Sequence, residues 1–483
     1  MVTIEGGAGE GELVAKPAID PNLFESLNPS RFDHVLLYHE ARGDDYRYRL
    51  TVVDRSCDES SSLAHVTAVV LIPAGRESEF IFTSQRGLLS VAESAGCARL
   101  VAVAFGRHHD FESQQAVQEE LTYVVQVLSQ QGLFLPPAVY KLNTQNLSIP
   151  FMALDGIGSR NVLADGDTTL SGKYLVEQVK ADSKLVRRLY FMDNPFVIQS
   201  EVAMMDDTDQ VDMAHLAFDY HKHMSAGIIA LALTKNDASS GLVVGLGGGG
   251  LVNFLQHVLP NNKLSVVELD ESVVTVAEQY FGFDRSDKQK TIVHIGDGLT
   301  VATYDSSDGI RVAPKASLNF IAIDVDSKDK TVGMSCPPQA FVDAAYLTTL
   351  KKLLSPEGLL VINVSARNPA MLELVMEHVK SVFETVFVSG QEEDEEEKQD
   401  VNVVVFALAS KTELPPRLEL MVKMKSVLHP VTEENSSATL QETISELEDS
   451  LASLAISNGA ASVLKQTAKK KGSTNKKKRG KKK

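Results

Sequence analysis

Between Leu242 and Asn363 short apolar runs alternate with helix-like stretches, and no other feature of the chain restricts its fold as far. Leu242-Val-Val244, Leu264-Ser-Val-Val-Glu268, Thr291-Ile-Val-His-Ile295, Leu318-Asn-Phe-Ile-Ala-Ile323 and Gly358-Leu-Leu-Val-Ile-Asn363 read as buried strands. Helical segments fall between them: one opening near Gly247, then Ser272 to Tyr280, Phe341 to Leu353 and Pro369 to Phe383. Apolar strands separated by helices imply a mainly parallel sheet covered on both faces. Val386-Phe-Val388 and Val401 to Ala407 add two strands, with the acidic run Gln391 to Asp400 as a solvated loop between them. The expectation is a doubly wound α/β domain with a seven-stranded, Rossmann-like sheet.

At 483 residues the chain exceeds one compact core, and its 43% hydrophobic and 23% charged residues are those of a soluble globular protein. Residues 1–32 are Gly- and acid-rich and read as disordered. Residues 33–165 read as a small α/β region of unknown role. Its strands are His34 to Tyr38, Tyr48 to Val53 and Val66 to Ile72, with a helix from Gln114 to Gln130. Residues 166–211 read as a β-hairpin extension, Tyr174 to Val179 against Arg187 to Met192, followed by a short run Phe196-Val-Ile198. A domain over 212–410 opens on an amphipathic helix from Asp212 to Leu233. Residues 411–464 are polar apart from Leu440, Ile444, Leu447, Leu451 and Leu454, whose spacing gives one amphipathic helix that packs on the core or pairs with another chain.

Residues 465–483 form an unfolded Lys-rich tail carrying 11 basic residues and no acid. The net charge of −17 therefore hides a body at −28, which disfavours nucleic acid except through the tail. Cys57, Cys97 and Cys336 lie far apart, without disulfide or zinc spacing, which fits a reducing compartment, cytosolic or also nuclear. No run of 18 apolar residues exists for a membrane span, and Met1 to Ala15 lacks the features of a signal or transit peptide.

Four elements after successive strands point to a ligand. Val243-Val-Gly-Leu-Gly-Gly-Gly-Gly250 joins a strand to a helix, where Gly245, Gly247 and Gly249 allow close backbone approach and the helix start offers unpaired amides. Alone the loop is ambiguous, since Gly245, Gly247 and Gly250 also satisfy the dinucleotide fingerprint. Glu268, followed by Leu269, ends the next strand, where an acid accepts from the ribose hydroxyls of NAD or S-adenosylmethionine. In Ile295-Gly-Asp-Gly-Leu299, Asp297 can accept from an adenine amine while Gly298 lets the backbone approach the ring. Asp324 and Asp326 stand at the carboxyl end of the fourth strand, the edge where open α/β sheets bind ligands. The order favours S-adenosylmethionine, and no metal is called for.

These residues resemble the spermidine-synthase-like branch of class I methyltransferases, and more closely the C-terminal catalytic half of the methyltransferase-like protein 13 family. The matching stretches are Val243 to Gly249, Val267 to Asp270, Gln279 to Phe283, Gly296 to Leu299, Asp324 to Asp329 and Gly333 to Pro338 with Ala340 to Val342. Weaker likeness runs through Ile72 to Glu77 and Arg187 to Tyr190. The resemblance implies a protein N-methyltransferase for 212–410, with translation elongation factor 1-alpha as partner and an N-terminal α-amine or a lysine as acceptor. The family usually carries a second methyltransferase half; nothing before Gly241 shows a glycine loop with an acid at the right spacing.

Methyl transfer needs a neutral nucleophile in line, so positioning supplies much of the rate. An α-amine of pKa about 8 is roughly a tenth neutral at pH 7, whereas a lysine of pKa about 10.4 is neutral at only ~0.04%. Asp324 and Asp326 are the substrate-side candidates, with Tyr220 and His221, a pair that borders the active site in the resembled aminopropyltransferases. Asp at such positions also caps turns. Three other readings stand beside methyl transfer. An aminopropyltransferase carries an Asp where this chain has Gly248, an NAD-dependent oxidoreductase leaves Asp297 and Asp324 unexplained, and a non-catalytic scaffold keeps the fold without turnover.

Overall fold

The computed structural model describes every residue except 1–2, 5–12, 17, 40–44, 58–62, 110, 130–148, 154–159, 182–183, 207, 234–238, 328–332, 367, 391–400, 414, 435–436 and 457–483. The expected acidic loop and Lys-rich tail lie outside the described residues. The chain divides into two compact units: residues 1–165, 175–190 and 194–198 in the first, and 166–174, 191–193 and 199–483 in the second.

The first unit is built on a seven-stranded sheet. Its strands are β1 (Thr3–Ile4), β2 (Leu13–Lys16), β3 (Phe32–His39), β4 (Tyr46–Asp54), β5 (His65–Leu71), β6 (Cys97–Phe105) and β7 (Phe151–Ala153), in the order β1-β2-β3-β4-β6-β5-β7. Every residue of β6 is buried, because both faces are covered. Leu100 and Ala102 pack with Leu88 and Ala92 of a helix over Gln85–Ser94, whereas Val101 and Val103 pack with Leu121 and Val124 of a helix over Gln114–Ser129. Asp54, fully buried, accepts from Arg31 at 2.7 Å and from Arg99 at 2.7 and 2.9 Å, so its charge is paired and hydrogen-bonded.

The expected disorder of residues 1–32 is corrected over 13–32. Leu13 and Ala15 alternate inward on β2, which pairs with β3, and Ile19 and Phe24 are buried after it. Beyond β7, β8 (Arg160–Asp167), β9 (Lys173–Ala181) and β10 (Lys184–Phe191) lie side by side, with β9 and β10 where a hairpin was expected. The short run Phe196-Val-Ile198 lies in a turn and bend, and the next strand is β11 (Ser200–Ala203).

In the second unit helix α1 (Asp219–Gly227) is shorter than the expected 212–233. Asp212 accepts from the Ala214 amide at 3.0 Å and spends the opening residues on a turn, while Ile228–Ala232 continue as a π-helical turn. The sheet follows with β12 (Ser240–Val244), α2 (Gly250–Val258), β13 (Lys263–Glu268), α3 (Glu271–Tyr280) and β14 (Thr291–Ile295). A small parallel pair, β15 (Val301–Thr303) and β16 (Ile310–Ala313), precedes β17 (Leu318–Ile323) and β18 (Met334–Cys336). Then come α4 (Ala344–Leu353), β19 (Leu354–Ala366), α5 (Pro369–Val382), β20 (Thr385–Gly390) and β21 (Val401–Leu408).

The strand order is β14-β13-β12-β17-β19-β21-β20, with a short strand over Ala455–Ile456 on the outer edge of β20. β12, β13, β14, β17 and β19 run parallel, while β21 is antiparallel to both neighbours. Alternate residues serve opposite faces. Val243, Phe320, Val361 and Phe406 enter one core, and Leu242, Ile321, Ile362 and Val405 the other. This is the doubly wound sheet read from the sequence.

Two helices complete the first of these cores. In α6 (Arg417–Glu434), Leu420, Met424, Leu428 and Val431 are buried, so the stretch read as merely polar is an amphipathic helix. In α7 (Ala438–Ala452), Leu440, Ile444, Leu447 and Leu451 face the same core. The alternative of pairing with another chain is thereby replaced by packing within the unit. Among the described residues no helix is long and apolar enough to cross a membrane.

Candidate functional site

The chain leaves β12 to one side, builds β13 and β14, and returns on the other side of β12 as β17. The carboxyl ends of β12 and β17 thus flank a topological switch point, the place where open α/β sheets hold ligands in a crevice. The glycine loop crosses it. Gly245 has φ +93° and a Cβ there would lie 2.0 Å from the Asp324 carbonyl oxygen, so only glycine fits. Its amide donates to Val267 O at 2.8 Å and the Asp324 amide to Val244 O at 2.9 Å, which locks loop and strand ends together. Gly249, φ +82°, caps α2. Gly247 faces the Ser200 hydroxyl, which a Cβ would approach to 2.9 Å.

Two glycines depart from the expected reading. A Cβ at Gly298 would meet Val244 Cγ1 at 2.4 Å and Phe341 at 3.1 Å, so the protein's own core fills that space. Tyr346 fixes the same turn by donating to Gly298 O at 2.9 Å. At Gly250, by contrast, a Cβ would have nothing within 4 Å, so the third glycine of a dinucleotide fingerprint does no packing here.

Glu268 is 8% exposed and points toward the loop. Its Oε2 accepts from the Leu246 amide at 2.9 Å and its Oε1 from the Asp270 amide at 3.0 Å. Burial nevertheless wins over these amides and raises its pKa above the ordinary glutamate value. Beside it Leu269 and Ile295 remain 47% and 44% exposed, an apolar rim suited to a flat ring. Asp297 is exposed; its Oδ1 accepts from the Leu299 amide at 2.9 Å and caps a 3₁₀ turn. The capping role open to acids at strand ends is therefore real at Asp297.

On the substrate side Asp324, Asp326, Tyr220 and His221 come together. His221 Nε2 donates to Asp324 Oδ2 at 2.8 Å, and Asn363 Nδ2 donates to Asp324 Oδ1 at 3.0 Å. Both carboxylate oxygens are thus held from opposite sides. Phe218 stacks on Tyr220, and Tyr220 lies 4.3 Å from the His221 ring. Burial, then the charges of Asp324, Cys336 and Asp326, push the Tyr220 pKa well above the ordinary tyrosine value, which keeps its hydroxyl protonated. Asp326 is exposed at the mouth. His223, on the other face of α1, hydrogen-bonds Ser389 Oγ at 2.7 Å and takes no part in the crevice.

Sequence reading missed Ser200, Asp270 and Asn363. Ser200 Oγ accepts from the Gly248 amide at 2.8 Å. Asp270 caps α3 through Ser272 at 3.0 Å and takes the amides of Leu170 and Ser171 at 2.7 and 2.9 Å. Asn363 ends an apolar strand run, and a lone amide there was the one signal the sequence held. Ser200 and Leu170 lie too far away in sequence to have given one.

A nine-stranded sheet whose seven main strands include one reversed strand, a glycine loop at the switch point and an acid after the second strand define a class I, spermidine-synthase-like α/β domain. Residues 218–391 match the spermine/spermidine synthase domain. The eEF1A lysine and N-terminal methyltransferase of Danio rerio is 35% identical over 445 residues, 86% of this chain and 59% of that protein. The Homo sapiens protein of the same name is 35% identical over 378 residues, 71% of this chain and 51% of that protein. By sequence the chain belongs to this family, the methyltransferase-like protein 13 family, and spans about half to six tenths of its relatives' length. A crystal structure of human methyltransferase-like protein 13 with S-adenosylhomocysteine is 30% identical, with TM-score 0.36, over 47% of this chain and 99% of that one.

Proposed function

We propose that the second unit is an S-adenosylmethionine-dependent protein N-methyltransferase, acting on an amine of translation elongation factor 1-alpha. The observation that carries the reading is the Gly245–Asp324 contact, which sets the cofactor loop directly beside the fixed carboxylate. The residues fit the cofactor: a loop too tight for side chains at Gly245, a buried acid at Glu268, an apolar rim at Leu269 and Ile295, and Asp297 beyond it. When bound, S-adenosylmethionine supplies an electrophilic methyl group. Glu268 would hold the ribose hydroxyls, the Gly247 amide and Asp324 the amino-acid end, and Asp297 the adenine amine.

Asp324 orients the incoming amine through a lone pair that neither His221 nor Asn363 occupies. His221 and Asn363 are positioning residues, since they reach the amine only through Asp324. The protonated Tyr220 hydroxyl and Asp326 line the approach. An α-amine, a tenth neutral at pH 7 for a pKa of about 8, asks less of Asp324 than a lysine does, and is the favoured acceptor. A cytosolic location accompanies this substrate.

Aminopropyl transfer is the weaker reading. The acid expected at position 248 for that chemistry has no room, because a Cβ at Gly248 would lie 2.8 Å from Ser200 Cβ and 3.1 Å from Phe281. Tritium transfer from labelled cofactor into elongation factor 1-alpha, mapped by mass spectrometry, tests the proposal. Label on its N-terminal amine or a lysine is expected, with Asp324→Asn slowing transfer at least 100-fold. Label on polyamines alone, or tight cofactor binding with no methylated protein, would overturn it.

A further inference from the structure

The glycine loop of the second unit presents two hydrogen-bond donors that the protein itself leaves unused. Gly245 donates to Val267 O at 2.8 Å, Leu246 to Glu268 Oε2 at 2.9 Å, Gly248 to Ser200 Oγ at 2.8 Å and Gly249 to Leu246 O at 2.8 Å. Among the described residues the Gly247 amide, in the middle of this run, has no acceptor. The second donor is the Ser200 hydroxyl. A serine hydroxyl carries one proton and two lone pairs, and the Gly248 amide occupies a lone pair only. Among the described residues no acceptor takes the Ser200 proton. Accepting from an amide also polarises the hydroxyl and strengthens it as a donor.

Ser200, half-buried at the start of β11, stands over the loop where the loop has no side chain of its own. A Cβ on Gly247 would lie 2.9 Å from Ser200 Oγ, and one on Gly248 would lie 2.8 Å from Ser200 Cβ. The two unused donors are therefore neighbours, with nothing from the loop between them. Gly245, at the other end of the loop, packs against the backbone of Asp324, whose carboxylate His221 and Asn363 hold in place. The loop is thus bordered by a negative group near Gly245 and by neutral donors near Gly247. An α-amino acid presents the complementary pair, an ammonium group and a carboxylate on one carbon. From Val243 to Asn253 the chain carries no Lys or Arg, so a carboxylate here is held by hydrogen bonds and not by an ion pair from the loop.

We propose that Ser200 is a specificity residue of the cofactor site: its hydroxyl, beside the Gly247 amide, binds the carboxylate of S-adenosylmethionine and selects it against the decarboxylated compound. The inference rests on the methyltransferase reading of the second unit and deepens it. Hydrogen bonds to a carboxylate are about twice as strong as neutral ones, and a ligand without the carboxylate leaves two donors unmatched. Ser200 then has two roles. By taking the Gly248 amide it supports the loop, which serves any adenosyl ligand alike. By giving its proton to the carboxylate it discriminates between ligands, and this second role separates from the first by experiment.

Calorimetric titration of the full chain with S-adenosylhomocysteine, and with its decarboxylated analogue that keeps the amine and the thioether, isolates the carboxylate. Neither compound has a methyl group to transfer, so binding is read without turnover. Wild type should prefer S-adenosylhomocysteine by about tenfold or more. Ser200→Ala should weaken S-adenosylhomocysteine about tenfold and the analogue no more than about twofold, since only the first loses a charge-assisted bond. A serine that merely supports the loop would weaken both compounds equally. Should Ser200→Ala fail to fold, Ser200→Cys keeps the shape with only a weak donor and should lose the same preference. Equal affinities in wild type, or an undiminished preference in the folded variant, would overturn the role of Ser200 without touching the methyltransferase reading, which the tritium experiment decides. Failure of wild type to bind either compound would strike that reading itself, and the role of Ser200 with it.

Discussion

At Glu268 two influences oppose each other: burial raises the carboxyl pKa from its ordinary 4.5, and the amides of Leu246 and Asp270 lower it. Burial is the larger, so the folded state holds the proton more tightly than the unfolded chain does. Two consequences follow from the sign. The stability contribution of this group falls as pH rises from its ordinary 4.5 through the raised folded value. Cofactor affinity moves the other way, because only the carboxylate accepts from both ribose hydroxyls. Calorimetric titration with S-adenosylmethionine should show affinity weakening as pH falls through a midpoint above 4.5. Glu268→Gln should bind about tenfold more weakly at pH 7, the loss of about 1.4 kcal/mol for one charged hydrogen bond, and show no such midpoint. A flat wild-type profile would remove Glu268 from the ribose site. Glu268, Asp297 and Asp324 were legible in the sequence because each stands at the end of an apolar strand run, and strand ends are where such sheets present ligand groups. His221 was legible only as a residue, not as a partner. Its 2.8 Å bond to Asp324 crosses 103 positions of chain, and no local pattern encodes a contact of that range.

Helix α7 shows how periodicity becomes a core. Leu440, Ile444, Leu447 and Leu451 recur at three and four residues, and all four are buried in the cluster that also holds Phe320 and Phe406. Thr443 seals the packing by donating to Ala214 O at 2.8 Å from a fully covered position. Leu447 is completely buried, so Leu447→Ala should cost about 2–5 kcal/mol through lost transfer energy and the cavity left behind. Urea unfolding of the second unit measures this, and a loss below about 0.5 kcal/mol would mean that α7 is not part of its core. The stripe of α7 was readable because polar residues fill the intervening positions. In α6 the same signal was blurred: Leu418 and Val422, 73% and 61% exposed, interleave with the buried Leu420, Met424 and Leu428. An apolar residue on the wet face erases the contrast on which amphipathicity rests. The strand over Leu13–Lys16 was missed for a related reason. Only Leu13 and Ala15 alternate inward there, and glycines and acids precede them, so the composition read as unstructured chain.

Over the whole molecule, the parallel sheet of the second unit was the part most fully written in the sequence, since strands buried on both faces must be apolar throughout. The first unit was harder to read, because its buried charges belong to networks that only the fold assembles. Asp54 with Arg31 and Arg99, and Glu177 with Arg107 and Arg160, join residues from separate strands and loops. Each unit therefore has its own core, and a ligand stabilises only the body whose native state it binds. S-adenosylhomocysteine at 100 times its dissociation constant should add about 2.7 kcal/mol to the second unit. Hydrogen exchange read by mass spectrometry should then slow in β12, β17 and β19, whose amides open only with that sheet, while β4 and β6 keep their rates. Equal slowing in both sets of strands would show that the two units open as one cooperative body, and the independence argued from their separate cores would fail.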